Sequence, residues 1–320
     1  MSGASRTLGI WTGPCTMRRG CTAGLSASLG HDFGMVMSGS ERDRLRRCFN
    51  DDAHAYDRTR PICPAELFDD VFALTDLAPG KRVLEIGAGT GQASLALAQR
   101  GLTITALELG PELAELAREN LARFDTVEVV TGSFEDWEPP GRSFDAVVAF
   151  NSLHWIDPEL RYVKPAGVLR PSGYLIVAGC RWAVPSDAQP FWRDVQEDYR
   201  AVGAKGDPPP TPGAIGTQHL PADALQYFEE VAARRYPFTA EYTASDYVVN
   251  LGTQTVSKEM GEDARGQFLA RVEARLSRLG SPNLTASFVG LMTVGRLRSD
   301  EPAATHNGRP HTGRPRSPGP

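Results

Sequence analysis

Residues 83–92 read VLEIGAGTGQ, an apolar run that breaks into Gly87, Ala88, Gly89 and Gly91, with Glu85 two residues ahead of the first glycine. Glycines carry no side chain to hold a ligand off the backbone, and the helical stretch that follows, SLALAQRG (94–101), aims its first amides at whatever lies there. About twenty residues further on, the next apolar run, LTITALEL (102–109), ends at Glu108 and Leu109. A carboxylate in that place can accept both hydroxyls of a ribose. Strand, glycine loop, helix, strand and acid together describe an adenosine site at the carboxyl edge of a parallel sheet.

The glycine spacing selects among adenosine ligands. A dinucleotide fingerprint needs Gly-x-Gly-x-x-Gly, but position 92 is Gln, and the run is Gly-x-Gly-x-Gly. No GKS or GKT follows, so a phosphate-binding P-loop is excluded. Glu85 puts a carboxylate where a pyrophosphate would be repelled and an ammonium attracted. An amino-acid-bearing nucleoside fits better than a nicotinamide dinucleotide.

The elements that must position these residues alternate in type. Pro111 opens PELAELARENLARF with Leu113, Leu116, Ala117 and Leu121 on one helical face. VEVVTG (127–132) and FDAVVAF (144–150) read as the third and fourth strands. A helix is expected around 158–169, then the turn RPSG and a fifth strand, YLIVAG (174–179). Short apolar strands separated by helices predict a doubly wound, Rossmann-like α/β sheet covered on both faces. After residue 180 the alternation breaks: 191–203 predicts a helix, 221–238 a helix then a strand, and 245–252 a short helix capped by Ser245 or Asp246. A polar helix is expected over 260–279 with Phe268, Leu269, Val272 and Leu276 inward, and a strand over 286–297.

Composition bounds the rest. The 320 residues are 41% hydrophobic and 23% charged, enough to bury a core, with a formal net charge of −5. That balance lacks the basic footprint of a phosphate-gripping protein, so no nucleic-acid partner is expected. Five scattered cysteines show neither zinc spacing nor a disulfide framework, so no metal is expected and a reducing, cytoplasmic setting is. No 18-residue apolar run suggests a membrane span. Residues 1–36 are poor in charge and without period, and are expected to be a disordered extension ahead of a folded region opening near Met37, where Leu45 and Phe49 fall four apart on a helix. Residues 300–320, with five prolines, are expected to be a disordered tail.

VLEIGAGTG, Glu108, SFDAVVAFNSLHW and LRPSG, in this order across roughly residues 49–180, resemble the class I S-adenosylmethionine-dependent methyltransferases. AHAYDRTRP (53–61) resembles the N-terminal lid of the small-molecule members, and the His-Trp after the fourth strand is similar to the trans-aconitate methyltransferase subgroup. The resemblance implies a seven-stranded sheet closed by an antiparallel pair, supplied here by 236–242 and 286–297, and a helical insertion after the fifth strand. The expected division is a lid (37–80), a cofactor-binding core (81–180), a cap (181–235) and closing strands and helices (236–299). S-adenosylmethionine is the implied cofactor. Glu85, Gly87, Ala88, Gly89 and Gly91 would cradle its methionine part, Glu108 its ribose, and Leu109 its adenine. Ser133, Phe134 and Glu135 would follow the third strand beside the adenine, with Glu135 replacing the Asp that many members have at position 133. Asn151 would face the methyl group, and Tyr56 would close over the cofactor.

The sequence also departs from the family pattern. Pro165 and Gly167 fall where the family builds a continuous helix. A proline inside a helix costs about 3 kcal/mol, so a kink or early break is expected. His154, with an ordinary pKa near 6.5, is the candidate base or acceptor ligand, and Trp155 the candidate wall of the acceptor pocket. The fourth strand ends in Asn-Ser-Leu-His rather than Asn-Pro-Pro-Tyr, which argues against methylation of base amines. The expected activity is methyl transfer to a small molecule, a carboxylate or hydroxyl. The alternatives are a silent S-adenosyl-nucleoside binder on the same fold and, behind it, an NAD(P)-dependent oxidoreductase.

Overall fold

In a computed structural model, residues 38–139, 141–203, 208–281 and 283–299 are described. The extension expected over 1–36 and the tail expected over 300–320 lie outside them. Chain order begins with three helices, α1 (Gly39–Arg47), α2 (Ala53–Thr59) and α3 (Ala65–Ala73). Then come β1 (Arg82–Ile86), α4 (Gln92–Ala98), β2 (Thr103–Glu108), α5 (Pro111–Leu121), β3 (Val127–Thr131), β4 (Phe144–Phe150), α6 (Val163–Val168) and β5 (Leu169–Ala183). The last third carries α7 (Phe191–Asp194), α8 (Gln196–Ala201), β6 (Phe228–Thr243), α9 (Ala244–Gly252), α10 (Thr255–Glu259), α11 (Glu262–Leu276) and β7 (Asn283–Leu297).

The seven strands form one sheet in the order β3-β2-β1-β4-β5-β7-β6. β1 pairs in parallel with β2 and β4, β2 with β3, and β4 with β5. β7 runs antiparallel between β5 and β6. Because β1 lies centrally with the strand order reversing beside it, the loops after β1 and β4 open onto the same crevice, the usual ligand position in such sheets. Val83 and Leu84 on β1 point to opposite faces and are both fully buried, which is why the strand reads as an unbroken apolar run.

The helix expected over 158–169 is cut to the six residues of α6. Pro165 is tolerated because the helix starts only at Val163, which leaves the proline in the first turn, where a backbone N–H has no intrahelical acceptor to lose. RPSG is not a free turn but a bulge inside β5. Phe144 pairs with Leu169 and Ala146 with Tyr174, and Ser172 takes φ 61° to absorb the surplus residues. Phe49 lies beyond α1, which ends at Arg47. The α9 cap is Thr243, whose hydroxyl accepts from the Asp246 amide at 3.1 Å, rather than Ser245 or Asp246.

The insertion after β5 does not form the cap by itself. Strands β5, β6 and β7 run on beyond the end of β4, and their far halves carry a separate core. Phe191 and Trp192 of α7 and Tyr199 of α8 pack there with Tyr247 of α9 and Phe268 and Val272 of α11. Buried Asp198 ties the two helical insertions together, accepting from Arg275 Nε at 2.6 Å and Arg271 Nε at 3.3 Å. The Phe268, Val272 and Leu276 face expected to point inward does so, with Leu269 half-buried beside it. Among the described residues no helix is long and apolar enough to cross a membrane.

Gly167 lies within α6 with nothing within 4 Å of where a Cβ would stand. Gly167→Ala is therefore expected to raise stability by roughly 0.5–1 kcal/mol, read from denaturant unfolding, because only backbone entropy changes.

Candidate functional site

The glycine loop leaves β1 through a left-handed turn, and its first glycine is required twice over. Gly87 has φ 68°, and a Cβ there would come within 2.6 Å of the Ser152 Cβ. Ser152, at the end of β4, donates its hydroxyl to the Ile86 carbonyl, so the two crevice loops are locked side by side. The Gly87 and Ala88 amides both donate to the Leu107 carbonyl, at 2.8 and 3.1 Å, and hold the loop against β2. Gly91, at φ 85°, is the N-cap of α4, and a Cβ there would strike Leu121 of α5.

Two buried carboxylates flank this loop. Glu108 ends β2 and divides its oxygens: Oε2 accepts from the Gly89 amide and Oε1 from the Gly110 amide, each at 2.8 Å. Burial pushes its pKa up, and those amides counter only part of the shift. Glu85 on β1 is 1% exposed and accepts from the Ser94 hydroxyl on α4. Burial raises its pKa to about 7, beyond what the Ser94 hydrogen bond offsets. Leu109 is half-buried beside Glu108.

The remaining crevice residues come from the exits of β3 and β4. Ser133 is committed to a local turn, its hydroxyl donating to Asp136 Oδ2 at 2.7 Å and accepting from the Asp136 amide. Phe134 is buried, with Lys164 Nζ 5.2 Å from its ring centroid. Glu135 accepts from Arg46 Nη1 at 2.7 Å through Oε1, while its Oε2 is buried with no partner among the described residues. Asn151 takes φ 55° and turns its side chain onto β5, where Oδ1 accepts from the Cys180 amide at 2.9 Å. His154, 9% exposed, lies on a 3-10 turn (153–155) with its ring 4.6 Å from that of Trp155.

The N-terminal helices close over this edge. Tyr56 on α2 sits on the glycine loop, its Cε1 3.7 Å from where a Gly89 Cβ would be, and Phe49 bridges the Tyr56 and Trp155 rings. Four polar contacts that the sequence reading missed pin these helices down. Asn50 Oδ1 accepts from the Glu112 amide at 2.8 Å and so caps α5, whose own N-cap is Gly110. Gln92 Nε2 donates to the Asp57 carbonyl, Arg46 reaches Glu135, and Lys258 of α10 pairs with Asp52. Each joins residues distant in sequence, so no local pattern could have revealed it. Cys63, following α2, and Cys180 of β5 bring their sulfurs to 3.0 Å as free thiols.

Residues 84–177 match the family described as a methyltransferase domain. An uncharacterised methyltransferase of Mycobacterium tuberculosis strain H37Rv is 34% identical over 172 residues, covering 54% of this chain and 65% of that protein. The match thus spans a little less than two thirds of that relative. A demethylmenaquinone methyltransferase of Tropheryma whipplei is 29% identical over 167 residues, 50% of this chain and 68% of that one. Among solved structures, a candidate type II methyltransferase from Anaeromyxobacter dehalogenans aligns with a TM-score of 0.52 at 21% identity, covering 75% of this chain and 97% of that one, a likeness of fold. Residues 84–177 therefore carry a methyltransferase domain, for which S-adenosylmethionine is the cofactor. Its residues fit that cofactor. Glu108 keeps lone pairs beyond the two it uses, and the buried Thr90 Oγ1 and Glu135 Oε2 have no partner among the described residues.

Glu85 gives the ligand-free protein a pH signature. Its carboxyl titrates near 4.5 when unfolded and about 7 when folded, so between those values only the folded state holds the proton. Its contribution is complete below the unfolded value and is lost as pH rises through about 7. Urea titrations at pH 5 and pH 8 should show stability falling by about 3 kcal/mol at most from this group, and Glu85→Gln should flatten that fall.

Proposed function

We propose that the protein transfers a methyl group from S-adenosylmethionine to a small-molecule acceptor, with a carboxylate or hydroxyl oxygen preferred as the attacking atom, by in-line displacement. The observation that carries this reading is the meeting of the open glycine loop with Glu85 and Glu108 at one sheet edge, on a domain of this class. When bound, the cofactor supplies a methyl already activated by its sulfonium. The protein's task is to align the attacking atom, exclude water and hold the charges, and orientation of that kind is worth roughly 7–11 kcal/mol in favourable cases.

In this reading Glu108 accepts the ribose hydroxyls and Leu109 packs on the adenine, with Ser133, Phe134 and Glu135 beside it. Gly87, Ala88, Gly89 and Gly91 take the methionine part, and Glu85 supplies its countercharge. Asn151 lines the methyl end, its amide oriented by the Cys180 backbone. Tyr56 covers the loop as part of an N-terminal lid over 37–80, which shields the reacting atoms from water. Trp155 walls the acceptor, and His154 receives its proton where the acceptor keeps one until late. The cap, which selects the acceptor, combines 181–235 with the helices between β6 and β7. An oxygen acceptor agrees with a relative named as a ubiquinone biosynthesis O-methyltransferase in Xanthomonas campestris, 37% identical over 113 residues, 34% of this chain and 47% of that one. The acidic charge balance supports a small molecule over a nucleic acid.

Calorimetry tests the assignment. Glu108→Gln should weaken S-adenosylhomocysteine about tenfold or more, since it replaces a charged acceptor for two hydroxyls. Affinity of S-adenosylmethionine for the wild-type protein should climb by up to about tenfold per pH unit below pH 7 as Glu85 gives up its proton, then level off. Methylthioadenosine, which lacks the ammonium, should show no such climb. Equal affinity in Glu108→Gln, or parallel pH profiles for the two ligands, would count against the site as drawn.

A further inference from the structure

Three cysteines fall among the described residues, and two of them meet. Cys48 donates its thiol to the Leu45 carbonyl at 2.9 Å and stays at its own helix end. Cys63 and Cys180, both half-buried, bring their sulfurs to 3.0 Å with no bond between them. Sulfurs in contact meet the first demand of a disulfide, that the two Cβ carbons lie within reach of each other. Methyl transfer as drawn uses neither thiol.

The two cysteines belong to different parts of the fold. Cys180 lies on β5, paired with Gly290 of β7, and its amide fixes the Asn151 side chain at the exit of β4. Cys63 follows α2, the helix whose Tyr56 ring lies on the glycine loop. The stretch leading to Cys63 is tied down by side chains alone. Tyr242 Oη and Asn250 Nδ2 donate to the Thr59 carbonyl at 2.9 and 2.8 Å, and Arg60 Nη2 donates to the Thr253 carbonyl at 3.0 Å. Burial raises the Tyr56 pKa, Arg60 lowers it, and Glu108 and Cys180 raise it further, so the Cys180 sulfur is within electrostatic reach of that ring. A bond between the sulfurs would add one covalent tie from the end of α2 to β5, beside Tyr56 and Asn151.

We propose that Cys63 and Cys180 are a redox pair that closes into a disulfide when met by a small-molecule disulfide, and that closure slows passage of the donor through the crevice. The second half rests on the methyl-transfer reading; the disulfide itself does not. Closure takes two exchanges. Cys63, having lost its proton, attacks the small disulfide RSSR and releases RS⁻. Cys180 then gives up its proton, attacks the Cys63 sulfur and releases the second RS⁻. The two cysteines lose two electrons, RSSR gains them, and the two protons leave on two RSH. The order follows from the site: the hydrogen bond with Cys63 and burial both push the Cys180 thiol well up, so it holds its proton longer.

The test treats the reduced full chain with oxidised glutathione and maps the non-reduced peptides by mass spectrometry. Release of S-adenosylhomocysteine from reduced and oxidised protein is then timed against excess competitor. The expected result is a linked Cys63–Cys180 peptide that dithiothreitol abolishes. Release should slow by about tenfold or more on oxidation of wild type and Cys48→Ala, and not at all in Cys63→Ala or Cys63→Ser. Equal S-adenosylhomocysteine affinity in the reduced variants and the reduced wild type shows that they remain folded. The proposal is overturned if the two thiols stay reduced, or if either ends as a glutathione adduct or joined to another cysteine. It is also overturned if the linked protein releases its ligand as fast as the reduced one, or if Cys63→Ala responds to oxidation as wild type does. Reduced wild-type protein that fails to bind S-adenosylhomocysteine would refute the methyl-transfer reading and, with it, the gating, whether or not the disulfide forms.

Discussion

The Glu108 carboxylate accepts from two amides that belong to different loops, Gly89 in the glycine turn and Gly110 ahead of α5. With a single side chain at the end of β2, the protein sets the distance between the loop after β1 and the helix after β2. The same side chain is the one proposed to receive the ribose. Each neighbouring feature serves that arrangement. Ser152 braces the loop from β4, Leu107 takes two of its amides, and Asn50 of the lid supplies the cap that Gly110 cannot give α5.

The helices α1 and α2 meet the rest of the chain largely through polar contacts, and α3 through apolar ones. Arg42, Arg46, Asn50, Asp52 and Asp57 each bind a partner on the domain or the cap, and beside them Ala53 packs with Leu113 and Leu116, while Leu67, Phe68 and Val71 of α3 belong to the main core. The cap is held differently, by a core of aromatic rings and by Asp198 between two arginines. The N-terminal helices and the glycine loop meet at Tyr56.

The core of the fold was legible because each strand from β1 to β4 is a short apolar run bounded by a turn signal, and β4 falls on the expected residues 144–150. The placement of Glu85, the glycines and Glu108 around one loop follows from the same pattern. What was not legible depends on tertiary contact. α6 is short because its start is moved to accommodate Pro165, and RPSG becomes a bulge because β4 pairs on both sides of it. The aromatic core beyond β4 joins residues of two separate insertions, since the α11 stripe of Phe268, Val272 and Leu276 finds its partner only when β6 and β7 bring it back to α7 and α8. Ser133 shows the limit of position alone: it stands where an adenine contact is expected, yet its hydroxyl is engaged by Asp136. The carry-over of individual site residues stays a proposal for that reason.

The central claim is that the crevice takes an S-adenosyl nucleoside. Its most direct test is thermal unfolding of the full chain with S-adenosylmethionine, S-adenosylhomocysteine, NADH and ATP in turn. At about 100 times its dissociation constant a ligand adds roughly 2.7 kcal/mol to stability, a shift easily seen. The account predicts a raised midpoint with the two S-adenosyl ligands and none with NADH or ATP. A shift with NADH, or none with either S-adenosyl ligand, would contradict it.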